Sequence, residues 1–332
     1  MPPTMKRIAQ ELGVSITTVS KALNNHLDIG QATRDRVLAK VAELGYQPNA
    51  VARSLSTKRT HTLGVLIPDL MHSFFVEIVA GIERVASSRR YGLFLCSSNE
   101  DAKKERLELE LLRQRQMDGF VLASANAAGN TDLLQRLGRS LVMIDRDDHP
   151  DVKCDRVITD DVMVGRLATD HLIAQRRRAI GHIAGPHIVH AKRRTEGYRA
   201  ALRESGRQVL PRHIVQGGFM EIDGYRAMTR LLEADAKIDA VFAANDPVAI
   251  GAMKAIWAAG RHVPDDVAVV GAGDIAHGDL LRVSLSTVSW SREEQGRRAA
   301  DLILDRIESP ESAGPPQRVI IPPELVVRGS TG

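Results

Sequence analysis

Cysteine is scarce in this 332-residue chain, which holds Cys96 and Cys154 and no third. Two cysteines so far apart exclude a disulfide framework and suit a reducing compartment; each reads as a small buried hydrophobe rather than a nucleophile. Long apolar runs are lacking too. Nothing approaches the roughly 18–20 residues that span a bilayer, and the polar stretch from Met1 to Gln10 lacks the apolar centre of a secretory signal. A cytoplasmic protein with no membrane partner is therefore expected. There is no nucleophile elbow, phosphate loop or metal motif, so an enzyme is not expected. His182, His187 and His190 lack the paired carboxylate or cysteine spacing of a usual site, and neither a metal nor a cofactor is expected. No internal repeat, heptad run or low-complexity segment is visible. What is present, 43% hydrophobic and 26% charged residues, is the composition of a soluble globular protein, and the length suits two to three domains.

Charge is distributed unevenly. The first 60 residues hold nine Lys/Arg against four Asp/Glu, whereas the whole chain is only +4, so the basic excess lies at the N-terminus. The stretch Val14 to Asn24 lies there. At helical period Val19, Ala22 and Leu23 share one side, and Ile16, Thr17, Ser20, Lys21 and Asn24 the other. That second face is small, polar and almost uncharged, unlike an ordinary solvated face of Glu, Lys and Arg. Ser15 is a fair N-cap. Just upstream, Met5, Ile8, Ala9 and Leu12 form the stripe of another short helix that Thr4 can cap and Gly13 can end. Two short helices around a Gly turn make a helix-turn-helix, whose second helix enters the major groove; an ordinary core hairpin is the alternative. The local positive charge favours the DNA reading.

A third helix is expected from Thr33 to Leu44, with Val37, Val41 and Leu44 in register and Gly45 as its cap. Pro48 then stops the chain's helical run, and Asn49 could cap a helix over Ala50 to Leu55 too short to be stable alone. Leu55 is apolar in a basic, polar segment. It reads either as a contact to the next domain or as a wedge between base steps in the minor groove, flanked by Arg53 and Lys58 on phosphates.

From Thr62 the character changes. Short apolar runs at Leu63–Ile67, Leu93–Cys96, Gly119–Leu122, Leu141–Ile144, Ile180–Ala184, Ala240–Ala243 and Val267–Val270 alternate with helical segments, the first carrying Phe75, Ile78, Val79, Ile82, Val85 and Ala86 on one face. Strand–helix alternation over about 250 residues argues for parallel sheets covered on both faces. That length divides into two doubly wound lobes, with ligands beyond the carboxyl ends of the strands.

The assembled pieces resemble a LacI-family transcription regulator along nearly the whole chain. They are Val14-Ser15 with Thr18 to Asn24; Leu44-Gly-Tyr-Gln-Pro-Asn49; Ala52-Arg-Ser-Leu55; Gly64 to Asp69; Phe74-Phe75; Asp118-Gly119; Ile144-Asp-Arg146; Arg194-Thr-Glu-Gly-Tyr198; Asn245 to Gly251; and Leu285-Ser-Thr-Val288. The resemblance implies an α/β protein: an N-terminal helix-turn-helix domain (1–47), a hinge helix and linker (48–60), and an effector core of periplasmic-binding-protein type (61–332). The core would cross three times between an N-lobe (about 61–160 and 290–320) and a C-lobe (about 161–289 and 321–332). It also implies a homodimer on pseudo-palindromic double-stranded operator DNA, most often as a repressor, with a small carbohydrate effector changing the lobe angle and hence operator affinity. Base contacts fall to Ile16, Thr17 and Lys21, and phosphate contacts to Thr18, Ser20 and Asn24. Thr4, Ser15, Asn49, Ala52, Arg53 and the intercalating Leu55 complete the DNA-binding set. A sugar-binding protein of the same fold that does not read DNA is the competing reading.

Effector contacts by the same resemblance are Asp69, Phe74, Phe75, Asp145, Arg146, Arg194, Phe219 and Asn245: aromatic rings for a sugar's apolar face, and Asp, Asn and Arg for its hydroxyls. One stretch departs from the family pattern. After Val269-Val270 the family commonly has Gly-aromatic-Asp, and this chain has Gly271-Ala272-Gly273-Asp274, so Asp274 is expected to take the role one residue late. The cations around His187, His190, Lys192, Arg193 and Arg194 lead to the expectation of a sugar acid or phosphorylated sugar.

Overall fold

The computed structural model describes the chain apart from residues 1, 2, 25, 27, 47–53, 55–58, 126, 127, 147, 312 and 313. It separates into two compact units, Met1–Thr60 and His61–Gly332.

The first unit is built on α1 (Met5–Leu12), α2 (Ile16–Leu23) and α3 (Gln31–Glu43). Thr4 caps α1 by accepting from the Arg7 amide at 3.2 Å, and Gly13 ends it in the left-handed region at φ 66°. Ser15 caps α2 in the same way through the Thr18 amide at 3.0 Å. Ile8, Ala9, Val19, Ala22 and Val37 close a small core, with Leu12, Val14, Leu23, Val41 and Leu44 packed around it. The third helix begins two residues before the expected Thr33 because Gly30 serves as its N-cap.

The second unit holds two six-stranded sheets. The first takes β1 (Thr62–Ile67), β2 (Gly92–Ser97), β3 (Gly119–Leu122), β4 (Leu141–Ile144), β5 (Asp155–Thr159) and β11 (Arg318–Ile321), ordered β11-β5-β4-β3-β1-β2 and parallel throughout. The second takes β6 (Ile180–Ala184), β7 (Ile214–Gln216), β8 (Ala240–Ala243), β9 (Ala268–Ala272), β10 (Ser286–Ser289) and β12 (Glu324–Val326), ordered β12-β10-β9-β8-β6-β7, with only β12 antiparallel. The central strands are buried along their whole length, as parallel strands covered by helices must be.

Helices α4 (Ser73–Ser88), α5 (Ala102–Gln114), α6 (Thr131–Leu137) and α11 (Arg292–Glu308) belong with the first sheet, and α7 (Asp161–Ala174), α8 (Val189–Glu204), α9 (Glu221–Ala234) and α10 (Asp246–Ala258) with the second. The chain therefore passes between the lobes three times, after β5, after β10 and after β11. The α7–α8 pair is drawn close by two glycines. A Cβ on Gly165 would meet the Arg194 carbonyl oxygen at 2.0 Å, and one on Gly197 the Val162 carbonyl oxygen at 2.1 Å. This backbone approach sets Arg194 of α8 against Asp161, the first residue of α7. Cys96 and Cys154 are both buried thiols, and burial pushes the Cys96 thiol up to about 12.

Candidate effector cavity and DNA-reading helix

A cavity of about 390 Å³ opens where strands of both sheets end. Asp69 follows β1, Asp145 and Arg146 follow β4, Gly185 follows β6, Ala244 and Asn245 follow β8, Gly273 follows β9, and Trp290 follows β10. All sit at carboxyl ends, where open parallel sheets bind ligands. Eight of the nine sequence-nominated effector residues, Asp69, Phe74, Phe75, Asp145, Arg146, Arg194, Phe219 and Asn245, line it together.

Asp274 does not. The turn places Gly273 at the cavity and carries Asp274, at φ 50°, out of it. Its carboxylate pairs with Arg328 at 2.8 Å and accepts from the Ser289 hydroxyl at 3.2 Å, and its carbonyl accepts from Arg292 at 2.7 Å. Arg292 is itself held by Glu77 of α4, so this contact joins the lobes.

Both cavity arginines are already matched. Arg146 donates to the two oxygens of Glu100 at 2.7 and 2.6 Å and to the Ser124 carbonyl at 2.8 Å. Arg194 donates through Nε to Asp161 at 2.9 Å and through Nη1 to the Ala244 carbonyl at 2.6 Å. Burial pushes the Asp161 carboxyl up against the pull of Arg194. The guanidiniums also face rings, Arg146 over Phe219 at 5.7 Å and Arg194 over Trp290 at 5.2 Å. Asn245 caps α10 through its oxygen and donates to the Phe219 carbonyl through its nitrogen, which fixes that aromatic wall.

Asp145 stands apart. It is buried in the left-handed region at φ 63°, a conformation a non-glycine residue adopts only when its surroundings hold it. Its nearest cation is the Arg146 Nε, 3.8 Å away, and burial raises its pKa. His72 and His190 also line the cavity, and each has a buried Nδ1 without a partner. Desolvation pushes both imidazoles below their usual range, His190 strongly, with Arg194 and Arg146 adding to it.

The cation-rich cleft expected from sequence is not formed. Of His187, His190, Lys192, Arg193 and Arg194, only His190 and Arg194 line the cavity, because one face of α8 turns inward and His187 and Lys192 are exposed. His182, His187 and His190 are not brought together either: His182 is buried between Tyr198 and Phe242, and His187 lies at the surface. Glu100, Asp223, His72 and Trp290 line the cavity without having been nominated. His190 could have been placed there by its i, i+4 spacing from Arg194, but Glu100 carries no such local signal.

In the first unit, α2 presents Ile16, 47% exposed, beside exposed Thr17. An apolar side chain left in water at a helix start is what a contact to a base edge would use. Lys21 pairs with Asp28, the Thr18 hydroxyl bonds the Ser15 hydroxyl at 2.9 Å, and Asn24 folds back on the Ser20 carbonyl at 2.9 Å. Thr4 is exposed at the start of α1, and Ser20 is half-buried on α2. Asn49, Ala52, Arg53 and Leu55 lie outside the described residues.

Comparison with known proteins agrees with this geometry. Residues 4–49 match the bacterial regulatory proteins of the lacI family, and residues 60–328 match the periplasmic binding proteins and sugar binding domain of the LacI family. The ribose operon repressor of Escherichia coli (strain K12) is 35% identical over 330 residues, covering 98% of this chain and 99% of the relative. The HTH-type transcriptional repressor PurR of Haemophilus influenzae (strain PittEE) is 33% identical over 330 residues, covering 98% of each. A crystal structure of the lac repressor dimer bound to operator and an anti-inducer superposes with a TM-score of 0.86 at 25% identity, covering 100% of this chain and 99% of that one.

Proposed function

The chain belongs to the LacI family of bacterial regulatory proteins, and on that premise we propose that this member is a cytoplasmic repressor that binds a pseudo-palindromic operator as a homodimer and answers to a small carbohydrate. The observation that carries the effector half is the meeting of eight nominated residues in one cavity built from the strand ends of both lobes. Its size is that of a small-molecule site, and its aromatic walls with a few polar groups suit the two faces of a sugar ring.

The DNA half rests on the basic first unit and on α2. Ile16, Thr17 and Lys21 read base edges, while Thr18, Ser20 and Asn24, with Thr4 and Ser15, hold phosphates. Asn49, Ala52, Arg53 and Leu55 supply the hinge contacts. The homodimer is supported by the likeness to the lac repressor, whose structure is a dimer bound to operator. Among the described residues no helix is long and apolar enough to cross a membrane. The match of residues 4–49 to a family of regulatory proteins favours this reading over a sugar-binding protein that ignores DNA. A sugar acid is disfavoured, because each cavity arginine already carries its own carboxylate.

Removal of residues 1–60 tests the division of labour. The truncated protein is expected to lose operator binding and to keep a thermal shift with the sugar that shifts the full chain. Loss of the sugar response as well would contradict it.

A further inference from the structure

The cavity has more negative than positive charge to offer a ligand. Four acids line it, Asp69, Glu100, Asp145 and Asp223, against two arginines. Glu100 is consumed by Arg146, and Arg194 is consumed by Asp161, which lies behind the wall. Three carboxylates are left over. Asp69 accepts the Met71 amide at 2.8 Å and Asp223 the Met220 amide at 3.1 Å, and among the described residues neither is paired with a cation. Asp145 is buried, and among the described residues its one ion pair is a long one, 3.8 Å to the Nε side of a guanidinium already turned toward Glu100. His72 and His190 do little to redress the balance, because burial disfavours the charged form of both.

An anion entering here would compete with Glu100 and Asp161 for the arginines and sit beside the remaining carboxylates. A cation would meet the reverse. It would pair with Asp145, whose burial limits screening by water, in a cavity also lined by Phe74 and Phe75, aromatic rings whose faces favour positive charge. Resting on the carbohydrate reading above, we infer that the effector carries an ammonium group among its hydroxyls, as an amino sugar does, and that Asp145 is the residue that selects for it.

The test is calorimetric titration of the full-length protein with matched sets: glucosamine, galactosamine and mannosamine, their parent hexoses, and the corresponding uronic acids. In whichever set binds, the amine is expected to bind at least tenfold more tightly than its parent, and the acid most weakly. Asp145→Asn is expected to bring amine and parent within about threefold of each other, read as a ratio so that a general loss of affinity does not obscure it. Parents binding as tightly as their amines, or acids binding most tightly, overturns the inference and leaves the carbohydrate reading standing. If none of the three forms binds in any set, both fall.

Discussion

Asp148 and Val189 join the two lobes: the Asp148 carboxylate, in the loop between β4 and β5, accepts from the backbone amide of Val189, the first residue of α8, at 3.3 Å. The N-cap position of α8 is Ile188, which has no side-chain acceptor, so the helix takes its cap from the opposite lobe. A cap is worth about 1 kcal/mol, and this one exists only while the lobes are together. Asp148→Ala should weaken effector binding by roughly fivefold, that energy expressed as a ratio. Asp148→Asn, which keeps an acceptor oxygen, should restore most of it. Titration of both variants distinguishes a cap from a charge effect: equal losses would show that the carboxylate's charge, not its acceptor, matters.

Lys21 and Arg53 should differ in kind. Lys21→Ala should relax specificity at one position in each half-site, because a base contact is lost. Arg53→Ala should weaken binding to every sequence and lower the salt dependence by about one phosphate contact. Anisotropy titrations on operator variants at several salt concentrations read both. Identical behaviour of the two variants on all duplexes would contradict the assignment.

Gly197→Ala should destabilise the second unit. The new Cβ meets a backbone oxygen, not a movable side chain, so α7 and α8 must separate. Overpacking of this kind costs about 1–3 kcal/mol or more. Because the same helix pair holds Arg194 against Asp161, effector affinity should fall with the urea midpoint. A variant of unchanged stability would mean that the helices are not so close.

How much of this was legible in the chain follows from the range of each interaction. Caps and periodicity act within one turn, so Thr4, Gly13, Ser15 and the three helices around Val19 could be read directly. Buried parallel strands announce themselves as apolar runs, and β3, β4, β6 and β8 start and stop where those runs do. Short strands such as β7 and β12, with partly exposed residues, do not. The resemblance brought eight residues to the cavity, but which arginine pairs with which acid was hidden. Arg146 meets Glu100 across 46 residues and Arg194 meets Asp161 across 33; neither separation has a local signature. The expectation of an acidic ligand counted cations without their partners, and the pairing removes that support for it. Asp274 failed on a turn, where one residue reverses the direction of a side chain.

Acid should unfold the second unit partly through His182. Its ring is fully buried, stacked on Phe242 at 4.8 Å and on Tyr198 at 5.0 Å, and burial pushes its pKa down to about 4. The unfolded chain takes up this proton near 6.5, while the folded protein resists until about 4. The stability from this group is thus complete above 6.5 and is lost as pH falls from there toward 4, by about 3 kcal/mol in all. The buried carboxyls of Asp145, Asp161 and Asp246, whose pKa values are raised, act in the opposite sense. The wild-type slope is therefore a sum, and His182→Gln isolates the histidine. Urea unfolding from about pH 4.5 to 6.5 should give the variant a less positive slope of stability against pH. Parallel slopes would mean that His182 does not titrate as a buried neutral ring.

The coupling of the two units is most directly measured as operator affinity of the full-length protein with and without a cavity ligand, on an inverted-repeat duplex and on random DNA at moderate salt. The expected result is a preference for the inverted repeat that the ligand changes by some factor, with operator changing ligand affinity by that same factor, as linkage requires. No preference for any inverted repeat over random DNA, with or without ligand, would contradict it.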